Sequence, residues 1–108
     1  MLQKSPAITS DSRLRLLALS QQAADLAARG DWQALADVGL LLDQALLNYI
    51  ESVGAGKVRN DLALQEALET NHANVVQAIE AAQIQLTQAH QKSSASLRAT
   101  QHYLNNAG

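Results

Sequence analysis

The chain is predicted to be all-α, an antiparallel helical hairpin followed by one long third helix. Three observations point there. Twenty alanines and twelve glutamines stand against five glycines, one proline and few β-branched residues, a balance that favours helix over sheet. Leucine and alanine recur at steps of three and four over long stretches. A single Gly-Asp step separates the first two of these stretches. With 108 residues there is room for one domain and one modest core. That core holds one tryptophan, two tyrosines and no phenylalanine, so it is thin and a partner can complete its burial.

Residues 1–9 contain the only proline, Pro6, and read as a loose lead-in. Ser10 or Asp11 can cap a first helix in which Leu16, Leu19, Ala23 and Leu26 form the stripe, widened by Leu17, Ala24 and Ala27. Arg29-Gly30 ends it. Arginine suits the negative end of the helix dipole, glycine can adopt the left-handed terminating conformation, and Asp31 caps the next helix at once. So tight a turn implies an antiparallel hairpin.

The second helix should run from Trp32 to about Val53, through Leu35, Gly39, Leu42, Leu46 and Tyr49. Leu40, Leu47 and Ile50 extend this stripe to roughly 220° of the circumference, about twice what a core-facing surface helix needs. Helix two is therefore expected to have two neighbours. Val53-Gly54-Ala55-Gly56 reads as a loop. A third helix can start near Asn60 or Asp61, with the stripe Leu64, Leu68, Val75, Ile79, Ala82, Leu86, thinning to Ser93, Leu97 and Leu104. Uninterrupted to Leu104, it would be roughly 67 Å long against roughly 30 Å for each of the first two. Either it continues and its far half meets another chain, or it breaks around Lys92–Ser96, where serines can leave a helix, and folds back as a short fourth helix. The expected organisation is a lead-in at 1–9, a helical domain at 10–92 and a helical extension or tail at 93–108.

Several function classes are disfavoured. A formal net charge of −2 offers no general attraction for nucleic acid or anionic lipid. Charge is nevertheless uneven: from Asp25 to Glu80 nine acidic residues face only Arg29, Lys57 and Arg59, and beyond Glu80 there are Lys92 and Arg98 but no acid. Without cysteine there is no disulfide, thiolate metal site or cysteine nucleophile. No apolar run suits a signal peptide or a membrane span, so the cytosol is the expected compartment.

Chemistry-bearing residues are sparse. His72, His90 and His102 lack the three- or four-residue spacing of a helical metal site and are read as ordinary stripe-edge or surface residues. There is no nucleophile elbow, phosphate-cradling glycine loop or paired carboxylates, so no catalytic residue, metal or cofactor is expected, and the chain is read as a non-enzyme. Asp43 lies inside the apolar arc of helix two. A salt bridge at the core edge, with an arginine from helix one or three, is expected there, with a register- or partner-specifying contact as the alternative. Gly39 costs about 1 kcal/mol relative to alanine in a helix interior, and a close helix crossing is the expected reason. Leu41 lies on the polar side and is read as an ordinary exposed leucine; the alternative is that, together with Leu47, Tyr49 and Val53, it borders a groove between helices two and three.

The runs Leu16-Leu17-Ala18-Leu19-Ser20-Gln21, Leu26-Ala27-Ala28-Arg29-Gly30-Asp31-Trp32 and Leu40-Leu41-Leu42 resemble the bacterial flagellar export chaperones of the FliT type. The resemblance covers roughly residues 14 to 90. It implies a small helical chaperone that binds the filament-cap protein before type III export, contacts the export ATPase and can restrain a flagellar transcriptional activator. It also implies a client surface on helices two and three, which here would comprise Leu40, Leu47, Ile50, Val53, Leu68, Val75 and Ile79. In such chaperones a C-terminal helix folds over that surface; this chain's tail after Lys92 is short and polar, and its basic charge against the acidic body is what keeps that contact open. The alternative reading is a structural coiled-coil or bundle component that forms a homodimer through the overhanging third helix.

Overall fold

A computed structural model describes the backbone of residues 6–107 and the side chains of residues 11–106. The described chain is all-α: α1 (Pro6–Arg29), α2 (Trp32–Val53), α3 (Ala55–Asn60) and α4 (Leu62–Ala107). It falls into two units, residues 1–78 and 79–108. The first holds α1, α2, α3 and α4 as far as Ala78.

The α1–α2 turn forms as the local chemistry dictates. Gly30 takes φ +72°, its N–H donates to the Ala27 carbonyl at 3.0 Å, and the Asp31 N–H donates to the Leu26 carbonyl at 3.0 Å. These two bonds satisfy carbonyls left orphaned at the end of α1. Asp31 then accepts the Ala34 N–H on Oδ1 at 3.2 Å, capping α2. One short step thus ends one helix and starts the next.

The start of α1 differs from expectation. It begins at Pro6, so the chain from 6 to 9 is helical and Ser10 and Asp11 lie inside the helix. Proline at a first helical position lacks only an N–H that would be unpaired anyway, and its fixed φ already suits the helix. Residues 1–5 of the expected lead-in lie outside the described residues.

The expected loop after Val53 is also shorter than predicted. Gly54, at φ +90°, turns the chain, and residues 55–60 wind into the six-residue helix α3. Asp61 ends α3 and caps α4, its Oδ1 accepting the Leu64 N–H at 3.1 Å. The side-chain amide of Gln65 reaches back to the carbonyls of Val58 and Arg59, at 2.8 and 2.6 Å.

α1 is the central element of the first unit. Leu16, Leu19, Ser20, Ala23, Ala24, Leu26 and Ala27 are all buried. One cluster joins Leu19, Ala23 and Leu26 of α1 to Val38 of α2, with Leu35 and Val75 packed on it. A second joins Leu16, Tyr49 and Leu64 and is flanked by Leu46, Val53, Val58 and Leu68. Leu64, Leu68, Asn71 and Val75 recur at helical spacing, so α4 turns one stripe to this core as the sequence predicts.

The second unit is helical over its described length. No fold-back is formed: α4 is unbroken through Lys92–Ser96. The hydroxyls of Thr87 and Thr100 bond the carbonyls four residues back, at 2.9 Å each, and so remain within the helical pattern. Ile84, Leu86, Leu97, Tyr103 and Leu104 are exposed there. No helix among the described residues is long and apolar enough to cross a membrane.

Candidate functional site

The first unit carries an open cavity of about 530 Å³ along α2. Leu16, Ser20 and Ala23 of α1 contribute to its lining. One side is α2, through Leu35, Ala36, Gly39, Leu40, Leu42, Asp43 and Leu46; the other is α4, through Leu68, Asn71, His72 and Val75. Most of these side chains are apolar. The groove exists because α2 has more apolar circumference than α1 can cover: Val38, Leu42, Ala45 and Tyr49 go to the core, while Leu40 stands 69% exposed.

Within this apolar lining lies a polar pair. Ser20 is 3% exposed, and its hydroxyl accepts the Asn71 side-chain amide at 3.0 Å, joining α1 to α4. A buried hydroxyl needs such a partner, because leaving it unpaired costs about 1–3 kcal/mol. Asp43 and His72 are the ionisable residues of the lining, and both are exposed.

Two expectations are corrected here. Asp43 forms no salt bridge among the described residues; the arginine that does reach an acid across the fold is Arg13, which pairs with Asp61 instead. Asp43 sits on the groove wall. Nor does Gly39 mark a close helix crossing. A Cβ built there would meet nothing within 4 Å, because the residue faces the groove.

Of the residues expected to form a client surface, Leu40, Leu68 and Val75 line the groove. Leu47 is 61% exposed but outside the lining; at seven residues from Leu40 it continues the same face of α2. Ile50 is half-buried and also outside it, and Val53 is half-buried against the second core cluster. Ile79 belongs to the second unit, where it is 37% exposed. Leu35, Leu42 and Leu46, which the sequence placed in the stripe of α2 rather than on the client surface, also line the groove, and so does the exposed Ala36, which the sequence did not single out. Asn71 and His72 carry no periodic signal of their own. Their roles follow from the spacing of three helices.

Near one end of this unit, Arg13 clasps Asp61. The Nε donates to Oδ2 at 2.8 Å and a terminal guanidinium nitrogen donates to Oδ1 at 3.1 Å. The guanidinium, helped by the Leu64 N–H, holds the Asp61 carboxyl below the usual carboxylate range. Among the described residues, no three of His, Cys, Asp and Glu converge as a metal site would require.

Compared with known proteins, the chain matches no family model, no curated protein and no solved structure.

Proposed function

We propose that the chain is a non-enzymatic helical chaperone of the flagellar export type, acting in the bacterial cytosol. It shields an amphipathic helix of its client, the filament-cap protein, before type III export. The observation that carries this reading is the open, largely apolar groove of about 530 Å³ between α2 and α4. A groove of this kind takes the apolar face of a helix, with anchors at helical spacing. The resemblance over residues 14 to 90 supplies the flagellar part, with the export ATPase and a transcriptional activator as further partners.

Co-expression with the filament-cap protein followed by size-exclusion chromatography tests the proposal. Co-elution that is lost in Leu40→Asp supports it; no co-elution with the unmodified chain overturns it.

A second reading has its own observation. The exposed Ile84, Leu86, Leu97 and Leu104 of the second unit suit a structural coiled-coil or bundle homodimer. Light scattering separates the two. A dimer that persists at nanomolar concentration and excludes the client favours the structural role.

A further inference from the structure

We propose that the occupant of the groove is a basic amphipathic helix, which sets a lysine or arginine against Asp43 and a small side chain against Gly39. This rests on the reading of the groove as the client site and adds the chemistry of the client.

Asp43 supplies the charge argument. It is a carboxylate on the wall of an otherwise largely apolar groove, without an ion-pair partner among the described residues. No lysine or arginine lines the groove, and the other ionisable lining residue, His72, lies on α4. The first unit has the same sign, with nine acids against six basic residues over residues 1–78. A guest with acidic flanks would bring its charge against Asp43 with no cation in the lining to meet it. One with basic flanks gains a pair at the rim and is steered toward it.

Gly39 supplies the shape argument. It lies four residues before Asp43, on the same face of α2, and has open space where a side chain would stand. No packing among the described residues requires glycine there. Its lack of a side chain lets a guest backbone approach α2 closely, one turn from the carboxylate.

Two blocked synthetic peptides test this, each about 18 residues long, or five helical turns. Both carry the same leucine and alanine face; their flanks bear lysine in one and glutamate in the other. Anisotropy of a fluorescent label reads binding at low ionic strength, with the fold of every variant checked by circular dichroism. The lysine peptide should bind about fivefold more tightly than the glutamate peptide, the upper range for a rim ion pair. Asp43→Lys should reverse that order. Asp37→Lys, the same charge change at an exposed α2 residue outside the groove lining, should preserve it. Gly39→Leu should weaken both peptides.

Equal binding of the two peptides, or an equal loss of preference in Asp37→Lys and Asp43→Lys, overturns the basic client while leaving the groove reading in place. Failure of both peptides to bind, or indifference of both to Gly39→Leu, overturns the groove reading and this inference with it.

Discussion

Arg13 and Asp61 join α1 to the first turn of α4 through paired contacts of 2.8 and 3.1 Å, while the same carboxylate accepts the Leu64 N–H. Asp61 therefore does two things: it caps α4, and it positions that cap against α1. Replacing Arg13 removes only the second. Arg13→Gln should lower the thermal midpoint modestly, and Asp61→Ala should lower it more, because the cap is lost as well. Differential scanning calorimetry on the two variants checks the order.

The same pair sets a pH dependence. The folded pKa of Asp61 is depressed, first by Arg13 and then by the Leu64 N–H. Its contribution is thus present above the ordinary carboxylate pKa, about 3.9, and is lost as pH falls through the lower folded value. The difference in midpoint between the unmodified chain and Arg13→Gln should shrink as pH is taken from neutral to below the carboxylate range. A difference that stays constant with pH would assign the Arg13 effect to packing of its stem.

Leu16 and Leu64 are fully buried and meet in the cluster that also holds Tyr49. Either one changed to alanine should cost about 2–5 kcal/mol, the range for cavity-forming truncations in cores. In a thin core that is a large share of the total stability. Urea denaturation followed by far-ultraviolet circular dichroism should show the midpoint falling with little change in slope.

How much of this was legible in the sequence depends on how local each decision is. The turn at Arg29-Gly30-Asp31 could be read because its glycine and its cap are satisfied within a few residues, and the inner stripe of α2 could be read because periodicity reports which face is apolar. Periodicity does not report what covers that face. Leu40 and Leu47 share a face of α2, yet only Leu40 lines the cavity, because the cavity is bounded by where α4 runs. The pairing of Arg13 with Asp61 rather than Asp43 is equally non-local, separated by forty-eight residues. α3 was hidden for another reason. Six residues with two glycines just before and within them carry loop signals, and its winding depends on the cap at Asp61 and on Gln65 bonding back to Val58 and Arg59.

Ser20 and Asn71 form the polar pair of the groove. Asn71→Leu should cost about 1–3 kcal/mol, since the buried Ser20 hydroxyl loses its partner. Adding Ser20→Ala removes the orphaned group and should restore part of that loss. A double-mutant cycle by chemical denaturation should therefore be non-additive, as expected of residues in direct contact. Additive costs would mean that the hydrogen bond contributes little to the α1–α4 junction.

Gly39 separates stability from binding. In the free chain its Cβ position is open and its backbone is helical, so alanine there relieves the helix of a flexible residue without a clash. Gly39→Ala should stabilise the free protein by about 0.5–1 kcal/mol, read as a higher denaturation midpoint. The added methyl stands in the groove, where it holds a guest helix away from α2. The same variant should therefore bind its client more weakly while folding more stably, and isothermal titration beside the denaturation curve measures both. A variant that gains in both would show that nothing approaches α2 at Gly39, and the reason for glycine at that position would have to lie outside the groove.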